Sequence, residues 1–143
     1  MIKSEKEFEN LREKCREEWE SLSKGTTPVV MVGTATCGRS AGSMEVMDSL
    51  KERMKSNGAR GRVMEVGCVG LCYSEPLVTV VKAPGPAVCY GRVTPEKAER
   101  IVDEHLAKGK PPADDALGWI DIGGESESSG IQRVPKLYDT SVL

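Results

Sequence analysis

The loop Cys68-Val69-Gly70-Leu71-Cys72 is the feature that most constrains how this chain can fold. It is followed at once by Tyr73-Ser74-Glu75-Pro76 and by the apolar run Leu77-Val78-Thr79-Val80-Val81, which is typical of a buried strand. Two thiols four positions apart on a glycine-containing loop can point at one metal centre. The pattern therefore predicts a sheet with a thiol-bearing loop directly ahead of one of its strands.

The remaining elements follow from hydrophobic periodicity and from turn residues. Helices are predicted over 4–23 and 40–56, with a third that starts after Thr94 as N-cap and has Pro95 at its first position. Short apolar runs predict strands at 28–32, 61–66, 76–82 and 87–93, and a turn-rich connection joins the last two as an antiparallel hairpin. The order is thus helix, strand, helix, strand, hairpin, helix.

This order indicates an α/β fold. A helix joins the first two strands, so these strands should be parallel, with a right-handed crossover. The prediction is a thioredoxin-like domain over residues 1–112, with a mixed four-stranded sheet flanked by helices. Residues 113–143 include the polar stretch 123–130, rich in Gly and Ser, and are predicted to be a flexible linker or tail.

Composition limits the partners and the compartment. The formal net charge is −2 with both signs interspersed, so nucleic acid is not an expected partner. No apolar run reaches the roughly 20 residues that span a bilayer, and the charged N-terminus lacks the apolar core of a signal peptide. A cytoplasmic location is expected, and there the five cysteines favour metal or redox chemistry over disulfides.

Three of the cysteines are candidates for one site. Cys37 follows the first predicted strand, whereas Cys68 and Cys72 follow the second. Parallel neighbouring strands place these two loops at the same end of the sheet, so the three sulfurs can converge. Iron–sulfur clusters are normally held by four thiolates, so the set indicates an iron–sulfur site that lacks one cysteine. The alternatives are a structural zinc site, a reactive thiolate at Cys37, or thiols that only pack in the core.

The other candidate ligands fit this site poorly. Cys89 should lie in mid-sheet, because the strand that follows Cys72 runs away from the site. Cys15 falls on the apolar face of the first helix and is expected to pack in the core. His105, on the last helix, is expected at the surface or at an edge.

A set of motifs resembles one protein family. They are Gly67-Cys68-Val69-Gly70-Leu71-Cys72, Glu75-Pro76-Leu77-Val78, Tyr90-Gly91-Arg92-Val93-Thr94-Pro95-Glu96 and the run from Ile101 to Pro111, with Thr36-Cys37 and Ala41-Gly42-Ser43 upstream. The chain resembles the thioredoxin-like 2Fe–2S ferredoxins, over roughly residues 4–112. Close equivalents are the 24-kDa-type subunit of respiratory complex I and the N-terminal domain of the flavin subunit of NADH dehydrogenases, NAD-reducing hydrogenases and electron-bifurcating enzymes.

The resemblance implies a function and a set of partners. Such domains pass single electrons through a 2Fe–2S cluster inside complexes that oxidise or reduce NAD(H). The implied partners are an FMN- and NADH-binding flavoprotein region or subunit, other iron–sulfur subunits or a hydrogenase, and a homodimer remains open. Residues 130–143 resemble the lead-in to that flavoprotein region, so the tail is expected to lead to it.

The resemblance implies only three of the four cluster ligands in this chain. The family pattern makes Cys37, Cys68 and Cys72 cluster ligands, but its first cysteine falls where this chain has Met31. Thr36, Ser40, Cys89 or a cysteine from a partner are the candidates for the fourth position. The alternative function is a cluster-free thioredoxin-like docking domain that has lost a ligand at Met31. The chain has no complete active site of its own in either case, and is expected to be a component of an oxidoreductase.

Overall fold

A computed structural model describes residues 2–25, 27–82 and 85–120, with the backbone alone at 21–24. The helices are α1 (Glu5–Lys24), α2 (Thr36–Ser40), α3 (Ser43–Asn57) and α4 (Pro95–Arg100). The strands are β1 (Val29–Gly33), β2 (Arg62–Val66), β3 (Val78–Val81), β4 (Ala87–Tyr90) and β5 (Ala116–Ile120). A wide π-helical turn over Ile101–Leu106 continues α4, and 3-10 turns cover Cys72–Ser74 and Ala113–Asp115.

The strands form one mixed sheet in the order β2-β1-β3-β4-β5. β1 and β2 are parallel, with partners that run from Val29 opposite Arg62 to Gly33 opposite Val66, and α3 lies between them in the chain. All other neighbours are antiparallel. The predicted α/β class, the parallel first pair and the β3–β4 hairpin are confirmed.

The number of strands was predicted wrongly. The fifth strand, β5, pairs antiparallel with β4 and places Ile120 opposite Ala87 and Trp119 opposite Val88. It lies inside the segment that was predicted to be a tail. The strand-favouring residues Trp119 and Ile120 stand at its end, and Gly118 at its centre weakens the strand pattern, so the signal in the sequence is short and the pairing with β4 completes the strand. The rest of the predicted tail, 121–143, lies outside the described residues.

The main core fills the space between one face of the sheet and the helices α3 and α4. Val30 and Val32 of β1 belong to it, together with buried residues of the other strands and of the helices, among them Val46, Leu50, Val80, Val88, Tyr90, Ile101 and Val102. Neighbouring strand residues point to opposite faces, and Val29 accordingly joins a second, smaller cluster with Val81 and Ala87. Met31 packs against this second cluster.

The helix ends carry capping residues, and the N-cap predicted for the helix after Thr94 is confirmed. The Thr94 hydroxyl accepts a hydrogen bond from the backbone N–H of Lys97 at 3.4 Å, and Pro95 opens α4. Ser4 caps α1 in the same way, through the N–H of Glu7 at 3.2 Å. Gly58 ends α3 with φ at +68°, a conformation that glycine adopts without steric cost.

The first helix is not covered by the rest of the described chain. Every residue from Ile2 to Glu20 is exposed, and Cys15 is exposed with them. The predicted packing of Cys15 in the core is therefore wrong. An amphipathic stripe shows that a helix has an apolar face, but it does not show what covers that face.

His105 is also placed differently from the prediction. It is buried rather than at the surface or an edge, with 5% of its area exposed, and the Tyr90 hydroxyl lies 2.8 Å from its Nδ1. The π-helical turn places His105 among the buried residues Ile101, Val102 and Leu106. A buried imidazole needs a hydrogen-bond partner, and Tyr90 supplies one that the sequence pattern does not reveal.

The described residues include no helix that is both long enough and apolar enough to cross a lipid bilayer.

Candidate metal centre

The two predicted ligand loops leave the sheet at the same end. Gly33 of β1 is paired with Val66 of β2, and the backbone N–H of Thr34 donates to the Val66 carbonyl at 3.0 Å. Cys37 lies in α2, which begins at Thr36 shortly after β1 ends, and Cys68 follows β2 by two residues. The shared strand end expected from the parallel pairing is thus present.

Cys68 and Cys72 lie side by side. Their Sγ atoms are 3.5 Å apart, and the backbone N–H of Gly70 donates to the Cys68 sulfur at 3.2 Å. Gly70 has φ at +85°, which folds the short loop back between the two cysteines. Two thiolates that share a tetrahedral metal ion at about 2.3 Å each lie roughly 3.8 Å apart. The pair can therefore bind one metal ion with little movement.

Cys37 is the third exposed thiol at this end of the fold. All three side chains, Cys37, Cys68 and Cys72, are exposed and none is in a disulfide. Within the described ranges, no group of three or more His, Cys, Asp or Glu side chains is already arranged to hold a metal ion. The structure thus brings Cys68 and Cys72 together and leaves Cys37 on the neighbouring helix α2.

An ion pair links α2 to the end of β2. The Arg39 Nη2 lies 3.0 Å from Oε2 of Glu65, and the Arg39 Nε–H donates to the Thr34 carbonyl at 2.8 Å. Arg39 is two residues after Cys37, and Glu65 is three residues before Cys68. Both side chains are about half exposed, so the pair adds little stability, but it holds α2 beside the end of β2.

Glu75 is the residue at this site that the sequence reasoning missed. It is 9% exposed, its Oε2 accepts from the Leu77 N–H at 2.8 Å, and its Oε1 has no hydrogen-bond partner among the described residues. The carboxylate lies against Gly33 and Gly38, where an added Cβ would come within 3.1 and 3.2 Å of its oxygens. The sequence feature that could have pointed to Glu75 is its place as an acidic residue between the cysteine loop and a buried strand.

A cleft opens next to this carboxylate. It has a volume of about 420 Å³ and lies between the start of α3 and the segment that leads into α4; besides Glu75 it is lined by Gly42, Glu45, Pro76, Arg92 and Thr94, among others. Glu75 thus contributes to the wall of this cleft, although its Oε1 atom is buried.

The candidates for a fourth ligand are dispersed. Cys89 is buried in β4 opposite Thr79, and burial raises the pKa of its thiol, which disfavours the thiolate. Met31 lies in the middle of β1 rather than at the strand end. Thr36 and Ser40 are exposed on α2 beside Cys37. The expectation that Cys89 lies in mid-sheet is confirmed.

Comparison with known proteins identifies relatives, although no family model matches the chain. The chain is 31% identical over 107 residues to the NADP-reducing hydrogenase subunit HndB of Solidesulfovibrio fructosivorans, an alignment that covers 73% of this chain and 84% of that protein. It is also 33% identical over 73 residues to a 2Fe–2S ferredoxin of Clostridium pasteurianum, covering 50% of this chain and 69% of the ferredoxin. This chain belongs to the thioredoxin-like 2Fe–2S ferredoxin family.

Solved structures agree with this thioredoxin-like 2Fe–2S ferredoxin membership. The wild-type thioredoxin-like [2Fe–2S] ferredoxin from Aquifex aeolicus superposes with a TM-score of 0.57 at 25% identity, covering 66% of this chain and 99% of the ferredoxin. A second structure of the Aquifex protein gives a TM-score of 0.58 at 24% identity and covers 66% of this chain and 94% of that one. The fold expected from the resemblance is confirmed.

The donor set fits the cofactor that a thioredoxin-like 2Fe–2S ferredoxin implies. Such clusters are held by cysteine thiolates, and this end of the sheet offers a preformed pair of sulfurs 3.5 Å apart with a backbone N–H aimed at one of them. Cys37 offers a third sulfur on the adjoining loop. No fourth cysteine accompanies them in the parts of the chain that the structure describes, since Cys15 and Cys89 lie on α1 and inside β4.

Proposed function

We propose that this chain is an electron-transfer domain that carries a 2Fe–2S cluster held by Cys37, Cys68 and Cys72, within an oxidoreductase complex that uses NAD(H). The observation that carries the proposal is the pair of sulfurs of Cys68 and Cys72, 3.5 Å apart on an exposed loop. The names of the relatives, two of which are 2Fe–2S ferredoxins, support the same cofactor.

The residues around the site have distinct roles under this proposal. The cluster, when bound, supplies one-electron oxidation and reduction. Cys37, Cys68 and Cys72 bind it as thiolates, and the Gly70 N–H stabilises negative charge on the Cys68 sulfur, which is one of the ways in which a protein sets a cluster's potential. The Arg39–Glu65 pair joins the helix of Cys37 to the strand that leads into the Cys68 loop. Because all three thiols are exposed, an electron donor or acceptor can approach them closely.

Membership of a larger complex is supported by the relative from Solidesulfovibrio, which is a subunit of an NADP-reducing hydrogenase. We propose that the partners of this chain are an FMN- and NADH-binding flavoprotein region or subunit, together with other iron–sulfur subunits or a hydrogenase. We place the complex in the cytoplasm. The segment 121–143, which follows β5 and is outside the described residues, would then connect to the flavoprotein region.

A second candidate function is a docking domain of the same kind of complex with no cluster. Two observations favour it. The described residues hold no preassembled group of three metal ligands, and Met31, which stands at the position of the family's first cysteine, packs against the apolar cluster of Val29, Val81 and Ala87. Such a domain would keep the fold and lose the electron-transfer role.

The deciding experiment measures iron and acid-labile sulfide per chain on anaerobically purified protein, together with an EPR spectrum of the reduced protein. The electron-transfer proposal predicts about two irons and two sulfides per chain and a reduced-state 2Fe–2S signal. Protein without iron even after anaerobic reconstitution would exclude it and leave the docking domain. Zinc in place of iron would give colourless, metal-containing protein and would indicate a structural zinc site instead of a cluster.

A further inference from the structure

The sulfurs of Cys68 and Cys72 are close enough for a bond between them, as well as for a shared metal ion. Their Sγ atoms are 3.5 Å apart, and both side chains are exposed. A disulfide has an S–S length of about 2.05 Å. The two sulfurs therefore need to approach each other by roughly 1.5 Å, which rotations that move each sulfur by about 0.7 Å supply.

The loop between the two cysteines has room for this adjustment. Residues 67–71 belong to no helix or strand, and a Cβ added at Gly67 or Gly70 would meet no atom of the described chain within 4 Å. The side chains of Val69 and Tyr73 are 60% and 74% exposed. A bond across this loop would thus close a small ring without disturbing the core.

Each of the other three cysteines stands alone on its own element of the described chain. Cys15 lies on α1, Cys37 on α2 and Cys89 in β4. Cys89 is also buried, and burial raises the pKa of its thiol, which disfavours the reactive thiolate. The arrangement that favours a disulfide is therefore specific to Cys68 and Cys72.

We propose that Cys68 and Cys72 of the metal-free chain are a reversible dithiol–disulfide pair, oxidised by small-molecule disulfides. In the first step, one cysteine thiolate attacks a sulfur of the small disulfide, and half of that molecule leaves as a thiolate with the electron pair of the broken S–S bond. In the second step, the other cysteine thiolate attacks the protein sulfur of this mixed disulfide and releases the other half. The protein loses two protons and two electrons, and the small disulfide gains them and becomes two thiols.

Closure of this disulfide locks the metal centre, a consequence that for the cluster rests on the ligand assignment under the proposed function. Cysteine binds a metal as its thiolate, and neither sulfur of a disulfide is a thiolate. The oxidised chain therefore cannot accept a metal at this loop, and reduction restores the site. An exposed disulfide is of the readily reduced kind, and its formation also keeps the two thiols from irreversible oxidation to sulfinic acids.

The test follows both cysteines in a single peptide. Trypsin cuts after Arg62 and Lys82, so the fragment 63–82 contains Cys68 and Cys72. The full 143-residue chain, stripped of metal by a chelator, is equilibrated in mixtures of reduced and oxidised glutathione, and its free thiols are then alkylated. The expected oxidised fragment has lost two hydrogen atoms and carries neither alkyl groups nor glutathione. Cys72→Ser should instead hold one glutathione on Cys68, and Cys15→Ser is the control that should close like wild type.

Two glycine variants test whether the loop conformation is responsible. Gly70 has φ at +85°, so Gly70→Ala disfavours the turn that brings the sulfurs together. The ratio of oxidised to reduced glutathione at half-oxidation should rise at least about fivefold. Gly67→Ala is the matched control in the same loop and should shift this ratio less than about twofold. Equal shifts would overturn the proposal, as would wild-type protein that keeps glutathione on this fragment or links it to Cys37.

Co²⁺ tests the lock, because its bonds to thiolates absorb in the near ultraviolet. The reduced metal-free chain should show this absorption, the glutathione-oxidised chain should show less than about a tenth of it, and a dithiol reductant should restore it. Equal absorption in both states would overturn the lock. The iron assay on anaerobically purified protein keeps the two proposals apart: closure without iron binding would refute only the cluster, and iron binding without closure would refute only the disulfide.

Discussion

The Tyr90 hydroxyl and Nδ1 of His105 lie 2.8 Å apart inside the main core, where Tyr90 is fully buried and His105 is 5% exposed. Burial raises the pKa of Tyr90 well above its usual value. Burial, assisted by the positive charge of Lys82, lowers the pKa of His105 from 6.5 to about 4. The two side chains therefore form a neutral hydrogen-bonded pair at physiological pH.

This pair predicts a specific dependence of stability on pH. Between pH 6.5 and about 4, His105 is protonated in the unfolded chain but neutral in the folded protein, so the unfolded state binds more protons and acid favours unfolding. The free energy of unfolding should fall by about 3 kcal/mol across this window through His105 alone. It should be independent of His105 above pH 6.5. Urea denaturation at a series of pH values measures the effect.

The variant His105→Gln isolates this contribution, because His105 is the only histidine in the chain. The difference in unfolding free energy between wild type and variant should shrink as the pH falls from 6.5 to about 4, since only the wild type loses stability through the imidazole. A difference that stays constant over that window would contradict the burial of a neutral His105.

Serine substitutions can distinguish the cysteines that bind the proposed cluster from those that do not. Cys68→Ser and Cys72→Ser should each abolish or strongly alter the visible absorption of anaerobically purified protein, because each removes a thiolate ligand. Cys15→Ser is the matched control and should leave the spectrum unchanged, since Cys15 lies on the exposed α1. Full retention of the wild-type spectrum in either loop variant would refute the ligand assignment.

Substitution by alanine should destabilise the protein at Gly38 but not at Gly67. A Cβ at Gly38 would collide with the Gly33 carbonyl and press on Glu75, whereas a Cβ at Gly67 meets nothing within 4 Å. Gly38→Ala should lower the free energy of unfolding by about 1–3 kcal/mol, and it should also lower cluster loading by displacing Cys37. Gly67→Ala should change stability by less than about 0.5 kcal/mol. Equal effects in a thermal denaturation assay would argue against the close packing of α2 on the end of β1.

The buried Glu75 carboxylate predicts a contrast between two replacements. Glu75→Gln keeps an oxygen that can accept from the Leu77 N–H and should change stability little. Glu75→Ala leaves that N–H without its acceptor and should cost about 1–3 kcal/mol. Chemical denaturation of both variants at pH 7 provides the comparison, and equal losses would mean that the hydrogen bond to Leu77 is not the stabilising contact.

Truncation tests the position of the domain boundary. A chain that ends at residue 120 retains β5, whereas a chain that ends at residue 112 loses it and leaves β4 as the edge of the sheet. The longer fragment should unfold cooperatively, and the shorter one should be less stable and should aggregate more readily, because an uncovered strand edge is a template for pairing. Equal melting temperatures and solubility would show that β5 contributes nothing to the fold.

Much of the fold could be predicted from the sequence because its signals are local. Alternating or continuous apolar runs locate β1 to β4, Thr94 and Pro95 mark the start of α4, and Gly58 marks the end of α3. The position of β5 is harder to predict in this way, because its strand-favouring residues are only Trp119 and Ile120 after Gly118, and its pairing with β4 is not visible in the sequence. The same limit applies to Cys15, whose helical face has an apolar pattern that does not say what covers it.

The candidate site also has some features that the sequence predicts and others that depend on contacts in the folded chain. The approach of Cys68 to Cys72 follows from their spacing on a short glycine loop, and the neighbourhood of Cys37 follows from parallel strands. The placement of Glu75 against Gly33 and Gly38 depends on three segments that meet only in the folded chain. His105 falls on the same helical face as Ala98, Ile101 and Val102, so its burial could be read from a period of 3.6 residues, whereas its partner Tyr90 comes from β4 and meets it only in the folded chain.

The thiol loop extends from β2, which is an outer strand of the sheet, so Cys68 and Cys72 stand at a corner of the molecule. Sulfur atoms that a redox partner can reach at such a corner are equally open to dioxygen and peroxide, and exposed thiolates are the ones that oxidise most readily. The described part of the chain gives them no cover. The isolated protein should therefore lose its thiols in air faster than the same protein within an assembly, where a docked subunit would act as a shield as well as an electron partner.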